Sequence, residues 1–133
     1  DGRKGARRLA ALGFADGKLR VLDRKIAYVD YLGEIARHKI VLQLDTSFVP
    51  GQVAGDALLC RVPCVGGNGA IDRLAFPGSS GFKRSIGEIS ATARELLTDG
   101  AAYDQALELN NSAAEQLCFA TVAGQLRGFF AAL

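Results

Sequence analysis

The stretch that most constrains this chain is Ile40-Val41-Leu42-Gln43-Leu44, five consecutive uncharged residues that favour extended backbone. An almost unbroken run of this kind suits a strand covered on both faces. It stops at Asp45-Thr46-Ser47, and Pro50-Gly51 punctuates the loop that follows. From Gly51 the periodicity changes, because Val53, Ala54, Ala57, Leu58 and Cys60 fall on one side of a helix over 51–61. Val62-Pro63-Cys64-Val65 then reads as a second short strand with its proline at the start. Strand, helix and strand at this spacing predict a parallel pair joined by a right-handed crossover.

Around this unit the pattern continues to alternate. Residues 3–13 read as a short helix closing at Gly13, Asp16-Gly17 as a turn, and Leu19, Val21 and Ile26 as one or two short strands. Asp30 to Arg37 supplies one or two helical turns. Gly66-Gly67-Asn68-Gly69 is a candidate for positive φ, and Ile71 to Phe76 is a helical turn or a strand. Ser85 and Glu88 have capping-box spacing before a helix that stops at Asp99-Gly100. A short helix over Tyr103 to Leu109 follows. Ser112 and Glu115 suggest a second box ahead of Phe119, Val122, Leu126, Phe129, Phe130 and Leu133. The expected fold class is α/β: a three-layer α/β/α Rossmann-like domain with a parallel sheet.

At 133 residues and 49% apolar composition the chain fits one domain, 1–133. It starts Asp1-Gly2 and contains no methionine, which suggests a fragment of a larger two-domain protein. No apolar stretch reaches the roughly 20 residues of a membrane span. Residues 1–39 hold ten basic and five acidic side chains, and Arg3, Lys4, Arg7 and Arg8 cluster there. Without zinc-finger spacing or interleaved aromatics, that run reads as a solvated helix face, and no nucleic-acid partner is expected. Cys60, Cys64, Cys118 and the single histidine, His38, do not make a zinc site. The three cysteines are expected to be buried reduced thiols, in keeping with a cytoplasmic location.

The segment suited to ligand chemistry runs from Asp45 to Asp56. Ligands of parallel sheets sit beyond the C-terminal strand ends, which here are Asp45–Gly51 and Gly66–Gly69. Unpaired amides of Gly51, Gln52 and Val53 at a helix N-terminus suit a phosphate or pyrophosphate. Asp56, about one turn further on, suits the vicinal hydroxyls of a ribose. Ser47 and Gly67, at the two strand ends, complete the candidate set.

The window from Tyr31 to Gly69 resembles the donor-binding, C-terminal half of glycosyltransferases of the GT-B architecture, group 1-like. Gly51 stands at that family's loop glycine, Asp56-Ala57 at its glutamate-alanine pair, and Cys60-Arg61-Val62-Pro63-Cys64-Val65 at its proline strand. Leu19-Arg20-Val21-Leu22-Asp23-Arg24 is similar to the preceding strand and turn, and the likeness extends over roughly 6–125. It implies an enzyme that moves the glycosyl group of a nucleoside-diphosphate sugar onto an acceptor hydroxyl, without a cofactor or metal. The loop amides of Gly51–Val53 would hold the diphosphate and Asp56 the ribose. The missing N-terminal domain would bind the acceptor and make any peripheral membrane contact, so the fragment alone would be inactive. Two departures stand out: Phe48 replaces the family's first glutamate, and no counterpart of its diphosphate-binding basic residue is present, which leaves Arg24 or Lys25, in the turn after the second strand, as the candidate to approach the base or phosphate. Competing readings are a sugar-nucleotide epimerase-like domain, a non-catalytic nucleotide-binding or interaction domain, and a response-regulator-like domain.

Overall fold

A computed structural model describes Gly13 and residues 19–22 and 24–133. The helix over 3–13, the turn at Asp16-Gly17 and the basic cluster at Arg3–Arg8 lie outside the described residues. The elements in chain order are α1 (Tyr28–Ala36), β1 (Val41–Gln43), α2 (Gln52–Leu59), β2 (Cys64–Gly66), α3 (Ala70–Ala75), α4 (Ile86–Thr98), α5 (Gly100–Gln116) and α6 (Phe119–Ala131).

β1 and β2 pair in parallel, with Val41 beside Cys64, Leu42 beside Val65 and Gln43 beside Gly66. Pro63 precedes β2, and its carbonyl accepts from the Val41 amide at 2.9 Å, so its missing N–H costs no ladder bond. Successive strand residues point to opposite faces. Cys64 joins Ala54, Ala57 and Leu58 of α2, with Ala75, Phe76 and Ala113, in one apolar cluster. Val65 joins Ile89, Ala93 and Leu96 of α4 in another, against Ile40, Leu42 and Leu44. The outer edge of β2 is closed by the 76–80 turn: Gly66 N–H donates to the Ser79 carbonyl at 2.8 Å, and Ser79 Oγ–H to the Cys64 carbonyl at 2.7 Å.

The expected three-layer Rossmann-like domain is not what forms. Helix accounts for 57% of the described structure and strand for 5%, and the sheet has two strands of three residues each. Residues 19–22 and 24–27, expected to add strand, are irregular. The C-terminal third explains most of the excess helix. Ser85 caps α4 as expected: its Oγ accepts from Glu88 N–H, and the Glu88 carboxylate accepts from Ser85 N–H at 2.7 Å. Asp99, however, ends α4 and at once caps α5 through the Ala101 and Ala102 amides, so the chain turns on one residue. Ser112 is interior to the 17-residue α5 and caps nothing; Cys118 takes the N-cap of α6. The apolar series on α6 buries no residue, and Phe119 is 89% exposed.

The thiols also depart from expectation, since Cys64 alone is buried while Cys60 is half-buried and Cys118 exposed. Burial pushes the Cys64 thiol up to about 12, whereas the bond to Thr121 holds Cys118 below its ordinary value. Thiolate is the reactive form. Alkylation of the native chain near neutral pH, followed by peptide mass mapping, is expected to label Cys118 first and Cys64 only after denaturation. Equal labelling rates at these two positions would contradict this packing.

Candidate functional site

The turn after β1, the loop after β2 and the start of α4 enclose a cleft of about 230 Å³. Leu44, Ile86 and Ile89 give it apolar surface, while Asp45, Thr46, Asn68 and Arg84 supply polar groups and Gly67 and Gly81 bring backbone close. This is the C-terminal end of a parallel strand pair, where such sheets accommodate ligands.

Each polar group has a definite local cause. Asp45 Oδ1 accepts from Ser47 N–H at 2.9 Å, a turn that Asp favours, and this bond holds its carboxyl below the ordinary range. Asn68 Nδ2 donates to the Thr46 carbonyl at 3.2 Å, tying the two strand-end loops together. That bond fixes the amide's orientation and leaves Oδ1 buried without a partner. Arg84 is exposed and donates to Thr92 Oγ1 at 3.2 Å.

The residues expected to hold the ligand do not all gather here. Gly67 lines the cleft; Ser47, Gly51, Gln52, Val53 and Asp56 do not. Asp56 is buried on α2 and accepts from the Tyr28 hydroxyl of α1 at 2.7 Å. That bond raises the Tyr28 pKa, and burial followed by the nearby Asp56 charge raises that of Tyr31 to about 12. Phe48 is 74% exposed.

Gly51 does need glycine: it caps α2 with φ 94°, in the left-handed region. Its surroundings, however, are filled by the protein itself. Ile71 N–H donates to the Pro50 carbonyl at 3.0 Å, bringing the first turn of α3 against the start of α2. A Cβ on Gly51 would lie 2.7 Å from Asp72 Oδ2, and one on Gly67 would overlap Asp72 Oδ1. The buried Asp72 carboxylate thus occupies the glycine cradle that looked open to a diphosphate. It accepts from Gln43 Nε2 at 2.5 Å and from Gly69 N–H at 2.9 Å, and loss of water raises its pKa. Gly69-x-x-Asp72 has the N-cap-to-N3 spacing, so the bond from Gly69 N–H had a signal in the sequence, whereas the approach of Asp72 to Gly51 and Gly67 had none. Asn68 and Arg84 had no comparable motif; only spatial convergence identifies them.

Among the described residues there is no group of three or more metal-binding side chains, and no helix is long and apolar enough to cross a membrane. No family model matches the chain, and no curated protein or solved structure does so either.

Proposed function

We propose that the chain holds a nucleoside-diphosphate sugar at its strand-end cleft, as the donor-binding part of a cytoplasmic glycosyltransferase. The observation that carries this is the convergence of Thr46, Asn68 and Arg84 at the C-terminal ends of a parallel strand pair. The likeness of Tyr31–Gly69 to donor-binding domains supports the same ligand class. On this reading Arg84, rather than the α2 amides, faces the leaving diphosphate, where a positive charge stabilises the developing negative charge. Acceptor recognition falls to a separate domain.

Calorimetric titration with UDP and GDP tests the reading. One of them is expected to bind, with Arg84→Ala weakening it about tenfold through loss of a charge-assisted contact. Because Asp56 is engaged by Tyr28, Asp56→Ala is expected to change stability more than affinity. Failure of both nucleotides to bind, or an unchanged affinity in Arg84→Ala, would refute the proposal. A domain that binds nucleotide without transfer is a second reading, favoured by Phe48 standing where the related enzymes carry an acid. Turnover assayed with an acceptor-binding domain separates the two.

A further inference from the structure

We propose that the apolar face of α6 is a dimerisation surface, on which a second copy of this chain packs antiparallel about a two-fold axis at Leu126. The contact is separate from the strand-end cleft, whose lining includes no residue of α6.

The face is formed by Phe119, Val122, Leu126, Phe129, Phe130 and Leu133, which at helical spacing fall within an arc of about 100°. The described residues do not cover it: every residue from Gly124 to Leu133 is exposed, and the phenylalanines and leucines of the arc are between 53% and 89% exposed. A free helix of 13 residues is marginal in water, and α6 also carries Gly124 and Gly128 in its interior, so its full length calls for cover. Area points to a protein surface. The three phenylalanines present roughly 300–550 Å². The aliphatic side chains bring the face towards the roughly 800 Å² per partner of a stable interface. Charge selects a second copy. Arg127 is the single charged residue from Leu117 to Leu133 and lies off the arc, so two such faces meet without opposing like charges. α5, which leads into α6, carries the exposed Asp104, Glu108 and Glu115 and no basic residue. It attracts the Arg127 of a second copy and repels an anionic membrane. Leu126 is central both along the helix and across the arc. Antiparallel pairing about it sets Phe119 against Leu133 of the second copy, Phe130 against Val122 and Phe129 against Ala123, so that large side chains meet smaller ones.

Sedimentation velocity of the 133-residue chain tests this. The parent is expected to be dimeric at about 100 µM and to dissociate towards about 1 µM, as a Kd of about 10 µM requires. Leu126→Glu places two like charges on the axis and is expected to weaken the dimer by about 30-fold or more. Phe130→Glu, on the same arc, is a second disrupting variant. Gly124→Glu adds the same charge on the opposite side of α6, where a Cβ meets nothing, and is expected to leave the dimer intact. Each variant is expected to melt with the parent at about 1 µM, where all are monomeric. Cross-linking in a Cys118→Ser background gives the direction: on mild oxidation Leu126→Cys is expected to link to itself and Phe119→Cys is not. A parent that stays monomeric at about 100 µM, a dimer that Leu126→Glu and Phe130→Glu leave intact, equal dissociation by Gly124→Glu, or self-linked Phe119→Cys would overturn the proposal. A monomer that instead co-sediments with phosphatidylcholine vesicles would identify a membrane as the cover and would equally overturn it.

Discussion

Gly66→Val is expected to disrupt the β1–β2 pair and lower the melting temperature by roughly 10 °C or more. Gly66 has φ 86°, and a Cβ there would overlap the carbonyl oxygen of Gln43, its partner across the sheet. Left-handed backbone costs about 1–2 kcal/mol for a residue with a side chain. Forcing bulk into a packed position adds about 1–3 kcal/mol, and here the obstacle is backbone, which cannot rotate aside. Against a total stability of about 5–15 kcal/mol, that is a large share. Gly55→Ala is the control, since nothing lies near a Cβ at this position inside α2. It is expected to stabilise by roughly 0.5–1 kcal/mol through helix propensity. Thermal denaturation followed by circular dichroism measures both. A melting temperature for Gly66→Val within about 3 °C of the parent would contradict the strand register.

Removing the Asp72 carboxylate is expected to be nearly as damaging. Asp72→Ala leaves the buried Gly69 N–H without its acceptor, at about 1–3 kcal/mol, and leaves the half-buried Gln43 Nε2 with only the weak contact to Cys64 Sγ at 3.4 Å. Relief of the desolvated charge offsets part of this, giving a net loss of about 2 kcal/mol. Asp72→Asn retains one acceptor and should lose about half as much. The pH dependence has a distinctive sign. Burial raises the Asp72 pKa above its ordinary 3.8, so folding favours the protonated acid. This contribution is fully present below the unfolded value and is lost as the pH rises through the folded one. The parent should therefore gain stability relative to Asp72→Asn as the pH falls from about 7 towards about 4. Most carboxylates cancel in that difference. A difference that does not change with pH would mean that Asp72 is solvated.

The parallel pairing was legible because Ile40–Leu44 and Val62–Val65 admit little else, and the Pro50-Gly51 break placed α2 between them. The size of the sheet was not. Three residues of each run pair, and Leu19–Ile26, though rich in β-favouring side chains, makes no strand among the residues described. Propensity for extended backbone does not supply a neighbour to pair with. Ser112 and Glu115 show the same limit in helices, because their spacing is equally compatible with the interior of α5. At the site, the strand ends and the positive φ of Gly66 and Gly67 were readable from the glycine-rich run at 66–69, while that of Gly51 carried no comparable signal. Nor was the occupant of the glycine cradle readable, since Asp72 reaches it only after α3 folds back on α2.

The turn that seals β2 determines how this sheet can meet another chain. Ser79 consumes both the Cys64 carbonyl and the Gly66 amide on the outer side. Among the described residues neither outer side has a strand beside it, and the 76–80 turn covers that of β2. Stacking strands into a filament requires each added unit to present a fresh edge for the next. A ribbon blocked on one flank cannot do this: an added strand terminates it, and two copies meeting along β1 close on each other. The Ser79 hydroxyl and carbonyl thus leave neither the Cys64 carbonyl nor the Gly66 amide free for an incoming strand.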